Sequence, residues 1–369
     1  MERSAAVTPE RAQQGRAPKA ANIHDVAKHA KVSIFTVSAV INDNGRVSPR
    51  LRRRVEAAIR QLDYRPNLLA RSLVKQRTYT IGIIVPDIAN PFFPLVVRGA
   101  EDVAHKAGYS TVLCNSDNQR DKEERYLELL LSRRVDGILL TMAPGRLSPW
   151  LRRMLVSIHV PIVLVMRTSP NLKADVVLTD DYKGAFEAVA HLVRVGHRRI
   201  ALVSGPLDVS NGAARWNGYR KALEVHNLPY DHDLVVEGDY QIESGYRAGL
   251  ALFPRHPDAV FVANYLMTVG IMQAAEEMKM SCPDDFGLVS FDDYPWLGCF
   301  RPRLTTIELP KYELGTKSTQ ILLDRISGEK VSGSILWTLA PQLRVRESCG
   351  FARQIRNTRL ADSRIDAHL

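Results

Sequence analysis

Cysteine is scarce in this chain. Its 369 residues hold four, Cys114, Cys282, Cys299 and Cys349, far apart and with no C-x-x-C pair. That excludes a disulfide framework and a zinc ribbon, and it predicts buried free thiols in a cytoplasmic protein. Long apolar runs are missing as well. No stretch approaches the roughly 18 consecutive apolar residues of a membrane span, so no membrane partner is expected. The first 21 residues mix Glu2, Glu10, Gln13 and Gln14 with Arg3, Arg11, Arg16 and Lys19, and they lack the apolar segment of a secretory signal. Signatures of common enzymes are absent too. There is no G-x-x-x-x-G-K-[ST], no G-x-S-x-G, and no G-x-G-x-x-G after the first strand-like run. Neither catalysis nor a cofactor is expected.

Acidic residues are sparse at one end only. The net charge is +10. Residues 1–78 hold 16 Lys+Arg against 6 Asp+Glu, whereas residues 79–369 hold 34 against 34. The whole excess lies in the first fifth of the chain. A basic head on a neutral body points to a separate module that faces a polyanion. With 45% hydrophobic residues, the body has ample material for a buried core.

Within the head, residues 1–21 read as a disordered basic tail. Ile23, Val26, Ala27 and Ala30 then fall on one face of a short helix. Val32 interrupts the period, Ser33 can cap a second helix, and Val37, Val40 and Ile41 form its inner face. Two short helices at this spacing form a helix-turn-helix, whose second helix enters the major groove of DNA N-terminus first. Ser48 and Pro49 open a third helix. Val55, Ala58, Ile59 and Leu62 line its core side, and Arg50, Arg52, Arg53, Arg54 and Arg60 crowd the rest. Asn67 can cap a further helix of eight or nine residues, marginal alone in water.

The runs Asn22-Ile23-His24-Asp25-Val26-Ala27-Lys28, Val32-Ser33, Thr36-Val37-Ser38, Val40-Ile41-Asn42, Arg46-Val47-Ser48, Tyr64-Arg65-Pro66-Asn67 and Ala70-Arg71-Ser72-Leu73 resemble the LacI/GalR family of bacterial transcription regulators. The resemblance covers about residues 22–350. It implies a homodimer that binds a near-palindromic double-stranded DNA operator, with a helix-turn-helix domain over 22–66 and a hinge helix and linker over 67–78. On this resemblance the DNA-contacting positions are Ser33, Ile34, Phe35, Thr36, Ser38, Ala39, Asn42 and Arg46 in the head, and Asn67, Ala70, Arg71 and Leu73 in the hinge. Leu73 holds the position of a wedge that unstacks a minor-groove step. Two features depart from the family. Lys31 stands where its turn commonly has Gly. Ile34, Phe35 and Ala39 stand at base-reading positions, where their side chains offer only apolar contact, for instance to thymine methyls.

From residue 79 onward, short apolar runs alternate with amphipathic segments. Strands are expected at 80–85, 110–114, 135–140, 162–165 and 176–178, with helices at 92–106, 121–133 and 149–157. The pattern repeats with strands at 200–204, 234–237, 259–262 and 288–291 and helices at 185–195, 211–226, 243–253 and 267–278. Alternation of this kind builds parallel sheets covered on both faces. The expected fold is therefore a small all-α helix-turn-helix head plus an α/β body, residues 79–350, of two Rossmann-like subdomains resembling periplasmic binding proteins. His191 and His197 could be imagined as a metal pair, but Gly196 ends the helix between them, and no metal site is expected. Residues 351–369 are polar and lack the leucine heptads that would join dimers into tetramers.

Ligands of open α/β sheets bind beyond the carboxyl ends of the strands. The resemblance places effector-binding residues there: Phe92 and Phe93 after the first strand, Arg215 in the segment 211–215, Tyr240, Asn264 and Asp292. Arg215 and Asp292 are expected to face each other across the cleft, as donor and acceptor to a polyol. Tyr265 stands where the family usually has Asp. The implied activity is ligand-controlled repression of transcription by a sugar or related metabolite. A solute-binding protein of the same α/β fold, without DNA activity, is the alternative.

Overall fold

Three helices form the N-terminal unit: α1 (Ile23–Ala30), α2 (Ile34–Ile41) and α3 (Pro49–Gln61). Asn22 opens α1 in a capping box. Its side chain accepts from the amides of His24 (2.8 Å) and Asp25 (3.3 Å), and the Asp25 carboxylate accepts from the Asn22 amide at 2.9 Å. The helix closes on Lys31, which adopts a left-handed conformation at φ 51°, a strained one for a residue with a Cβ. Arg54 of α3 supports this turn by donating to the carbonyls of Ala30 (2.6 Å) and Lys31 (3.4 Å). Ser33 caps α2, its Oγ accepting from the Thr36 amide at 3.1 Å, and Ser48 caps α3. Val26, Ala27, Ala30, Val37, Val40, Val55 and Ala58 make one buried core.

The structure is a computed structural model that describes residues 21–41, 47–64, 77–157, 160–168, 172–328 and 333–350. The chain divides into two units, residues 1–78 and 79–369. The second unit holds two six-stranded sheets. The first contains β1 (Thr80–Val85), β2 (Ser110–Asn115), β3 (Gly137–Leu140), β4 (Ile162–Val165), β5 (Asp175–Thr179) and β11 (Leu336–Leu339), in the order β11-β5-β4-β3-β1-β2 and all parallel. The second contains β6 (Ile200–Ser204), β7 (Val235–Glu237), β8 (Ala259–Val262), β9 (Gly287–Phe291), β10 (Thr305–Glu308) and β12 (Gln342–Arg344), in the order β12-β10-β9-β8-β6-β7, antiparallel only at β12. The central strands are buried on both faces, which explains their unbroken Ile/Val/Leu runs.

Helices α4 (Phe92–Lys106), α5 (Arg120–Ser132) and α6 (Pro149–Ser157) belong to the first half, and α7 (Asp181–Val195), α8 (Ser210–Val225), α9 (Ile242–Leu252) and α10 (Tyr265–Glu277) to the second. The last helix, α11 (Lys311–Ser327), returns to the first half and packs on β3, β4, β5 and α4. There Gly99 of α4 and Gly315 of α11 meet backbone to backbone. A Cβ on Gly99 would strike the Tyr312 carbonyl, and one on Gly315 the Val96 carbonyl. The chain thus passes between the halves three times: at Asp180, at 309–310 and at 340–341. Of the cysteines expected to be buried, Cys114, Cys282 and Cys349 are, but Cys299 is exposed, beside the short turn Pro295–Gly298 at the surface. His191 and His197 both address the end of the body. His191 Nε2 lies 3.2 Å from Cys349 Sγ, and His197 Nε2 lies 3.0 Å from the Cys349 carbonyl oxygen.

Candidate functional site

The outer face of α2 carries the first candidate surface. Val37 and Val40 point into the head core, which turns Ser33, Ile34 and Phe35 outward. Phe35 is 82% exposed and Ile34 41%. Thr36, Ser38 and Ala39 are half-buried, and Thr36 Oγ1 meets Ser33 Oγ at 2.9 Å. A phenyl ring this exposed adds nothing to the head core, and it stands at the end of the helix that such folds insert into DNA. Arg54, expected on the solvated face of α3, is partly spent on the α1–α2 turn. Asn42, Arg46, Asn67, Ala70, Arg71 and Leu73 lie outside the described residues.

The second candidate site lies between the two halves of the body. Its lining comes from the carboxyl ends of parallel strands, where ligands of such sheets bind. Asn90, Phe92 and Phe93 follow β1, Arg167 follows β4, Tyr240 follows β7, Asn264 follows β8, Asp292 follows β9, and Asn211 and Arg215 sit on the first turns of α8. Asn90 Oδ1 accepts from the Phe92 amide at 3.0 Å, which starts α4 with both rings packed edge to face at 5.2 Å. Both rings belong to the core and line the cleft as well. Tyr240 and Asp292 are held at φ 69° and 72°. Non-glycine residues at such angles are strained, and strain of this kind gathers at ligand sites.

The expected opposition of Arg215 and Asp292 is not what the fold delivers. Both rise from the second half, so neither faces the other across the cleft. Arg215 is 1% exposed and bonds to Asp181 through Nε (2.8 Å) and Nη2 (2.6 Å). It also donates to the Ala263 carbonyl and lies 4.0 Å over the Phe291 ring. Burial, the largest single influence, depresses its guanidinium, but Asp181, Tyr240 and Asp292 together outweigh that and its pKa stands above the ordinary value. Asp292 is 3% exposed and its pKa is lifted by burial, against the pull of Lys311 and Arg215. Asn264 spends both ends of its amide inside the protein. Its Oδ1 caps α10 at the Met267 amide (2.9 Å), and its Nδ2 donates to the Tyr240 carbonyl (3.0 Å).

Several lining residues are buried with polar atoms that have no partner: Arg167 Nε, both amide atoms of Asn211, Tyr240 OH and Asp292 Oδ1. A buried polar atom without a hydrogen bond costs about 1–3 kcal/mol, and these converge on one space. In this structure the space is small, about 20 Å³, room for about one water. Two contacts hold the halves together at its rim. Gln241 Nε2 donates to Asp87 Oδ2 at 3.2 Å, and the Thr168 amide donates to Ser210 Oγ at 2.9 Å.

Residues 78–342 match the family described as periplasmic binding proteins and sugar binding domain of LacI family, and residues 22–67 match bacterial regulatory proteins, lacI family. This chain belongs to the lacI family. It is a DNA-binding transcriptional regulator, and the matched head decides against a solute-binding protein without DNA activity. The regulator is 37% identical to the ribose operon repressor of Halalkalibacterium halodurans, over 88% of this chain and 96% of that one. It is 36% identical to catabolite control protein A of Priestia megaterium, over 85% and 95%. Among solved structures, the Lac repressor dimer bound to operator and the anti-inducer ONPF superimposes with a TM-score of 0.80 at 28% identity, covering 90% of this chain and 99% of that one. The transcriptional regulator CelR–cellobiose complex superimposes with a TM-score of 0.68 at 32% identity, covering 89% and 99%.

Sequence reasoning passed over Arg167, Asn211 and Asp181. Arg167 was accessible to the rule that selected Phe92, because it stands just past the carboxyl end of a parallel strand, β4. Asn211 lies one helical turn before Arg215 and so shares its face. Asp181 carries no comparable signal. It opens α7, and only the fold brings that helix against α8. Among the described residues no helix is long and apolar enough to cross a membrane.

Proposed function

We propose that this regulator is a homodimeric repressor that leaves its operator when a polyhydroxylated metabolite, a sugar or sugar derivative, fills the cleft of the body. The observation that carries this is the convergence of unpartnered polar atoms from Arg167, Asn211, Tyr240 and Asp292 on one buried space. Two donor-acceptor amide atoms, a phenol, a guanidinium and a carboxylate suit several hydroxyls at once. Phe92 and Phe93 supply the apolar wall that such a ring needs on one face. The names of relatives agree in class, since they refer to ribose and cellobiose. Three chain crossings between the halves form the hinge. A ligand acts on it only through unequal affinity for two cleft conformations. In the head, Ile34 and Phe35 read apolar features of the major groove, and the hinge residues Asn67, Ala70, Arg71 and Leu73 contact the minor groove.

The experiment combines selection of bound sequences from a random DNA pool with titration of sugars against the recovered operator. Wild type should bind a near-palindrome and release it on addition of the right sugar. Asp292→Asn should bind the same operator equally well and release it poorly. Undiminished release by that variant overturns the placement of the pocket, and DNA binding that requires the sugar reverses the sign of the switch.

A further inference from the structure

Beside the cleft lies a second, larger cavity of about 760 Å³, enclosed by the loop after β3, the start of α6 and the start of α8. Its charged lining is one-sided: Arg120, Arg146, Arg152 and Arg167 against Asp208. Arg120 is accounted for. It pairs with the buried Glu123 and gathers the carbonyls of Ala143, Pro144 and Gly145. Arg146 and Arg152 are exposed.

Arg167 is different. It is 4% exposed, and its Nη1 donates to Asn118 Oδ1 (3.0 Å) and the Met142 carbonyl (2.6 Å), both neutral acceptors. Its Nε has no partner, and among the described residues no carboxylate forms an ion pair with it. Glu123 and Asp208 act on it only through space, and a buried guanidinium with no carboxylate bonded to it is costly and calls for an anion. Arg167 also lines both spaces, the small cleft and the large cavity.

A second, separate feature faces the same cavity. Helix α8 is 16 residues long, and its N-terminus has no capping side chain and no acidic residue in its first turn. Val209 and Ser210 at that terminus line the cavity. Such an end presents free amides and the positive pole of the helix dipole.

We infer that the effector of this regulator is an acidic sugar derivative, whose carboxylate or phosphate lies in this cavity between Arg167 and the N-terminus of α8, with Arg146 and Arg152 at its rim. The inference rests on the sugar-responsive reading of the cleft and narrows it. The neutral ring occupies the cleft, where Arg215 is already balanced by Asp181. The acid group enters the cavity, where positive charge is in excess. Its arrival displaces the Thr168–Ser210 contact, which spans the two halves at the rim, so that the anion and the hinge are coupled.

Two measurements on the full-length protein test it. In the first, thermal shifts are recorded with inorganic phosphate against chloride at equal ionic strength, for wild type and for the surface variant Arg146→Gln/Arg152→Gln. Phosphate should stabilise wild type more than chloride, and the variant should lose most of that difference. In the second, calorimetry compares neutral hexoses and pentoses, the matching aldonates and uronates, and the matching sugar phosphates. One acidic class should bind while its neutral parent binds at least tenfold more weakly, and the class that binds names the group. Arg167→Gln should lower affinity for the acid by about thirtyfold, as expected for truncating one partner of a buried charge pair, and should weaken the neutral parent, which meets Arg167 only through a hydroxyl, by a clearly smaller factor. Equal affinity for acid and neutral parent overturns the inference, as does a phosphate effect indifferent to the arginines. If the phosphate effect vanishes with the arginines while no sugar of any class binds, the anion site stands and the sugar-responsive reading of the cleft falls.

Discussion

Arg215→Ala is the perturbation with the largest expected structural effect in the cleft. In the wild type, the guanidinium holds Asp181 through two contacts of 2.8 and 2.6 Å, with both side chains almost fully buried. Without it the Asp181 carboxylate keeps, among the described residues, one side-chain donor, the Thr179 hydroxyl at 3.0 Å, and the Ala263 carbonyl and the Phe291 ring face a hole. Removing one partner of a buried pair costs about 3–5 kcal/mol, because the other charge is left uncompensated. At roughly 2–4 °C per kcal/mol for a body of this size, melting should fall by roughly 6–20 °C. Removing both charges, as Arg215→Met/Asp181→Asn, leaves no orphaned ion and should cost less than about 2 kcal/mol. Thermal and denaturant unfolding of wild type, both single variants and the double variant at pH 7 close the cycle. If Arg215→Ala stays within about 1 kcal/mol of wild type, or if the double variant is as unstable as the two singles added together, the two buried charges do not stabilise each other. A lost effector response in Arg215→Ala alone therefore reports a damaged cleft as readily as a missing ligand contact.

Three further outcomes are expected. Phe35→Ala should weaken operator binding by about 1–3 kcal/mol, the apolar burial available to a phenyl ring, with head stability unchanged. Equal gel-shift affinity would remove Phe35 from the interface. Operator affinity should fall with salt at a log–log slope steeper than about −5, given 12 Lys+Arg against 4 Asp+Glu in residues 22–78 in each of two copies; a flat slope would refute phosphate clamping by the head. Burial pushes Glu123 up to about 7 from an ordinary 4.5, against the pull of Arg120. The folded protein thus binds this proton more tightly than the unfolded chain. Its contribution is full below about 4.5 and is lost as pH rises towards 7, at no more than about 1.4 kcal/mol per pH unit. Glu123→Gln should flatten stability across that window, and identical pH profiles for the two proteins would refute it.

Much of this molecule is legible from local pattern. The buried parallel strands β1, β3, β4, β6, β8 and β9 announce themselves as short apolar runs, and the caps Ser33 and Ser48 mark the starts of α2 and α3. Legibility fades after Phe291. Strands β10, β11 and β12 are three or four residues long, and Leu336 and Trp337 are exposed on an edge. Such fragments carry no period, and no local signal says that β11 joins one sheet and β12, two residues later, the other. In the cleft, strand ends lead to Phe92, Tyr240, Asn264 and Asp292. Which polar atoms are already spent is a tertiary matter, as Asn264 shows. The pairing of Arg215 with Asp181 instead of an opposition to Asp292 follows from the packing of α7 against α8, and spacing along the chain does not encode it.

The three crossings also govern the order in which the protein is made. The sheet that begins at Thr80 lacks its covering helix α11 until residue 327 has been synthesised, and its outer strand β11 until residue 339. Leu314, Ile321 and Leu322 of that helix belong to the same core as Ile81, Ile83 and Val163. The second half needs only residues 181–308 for five of its six strands. The half translated first therefore waits for segments made after most of the second half, and while the chain is emerging from the ribosome the apolar faces of β1, β3 and β4 wait uncovered. This window favours chaperone capture and aggregation, and a premature stop anywhere before residue 339 leaves the first sheet unfinished, however much of the chain precedes it.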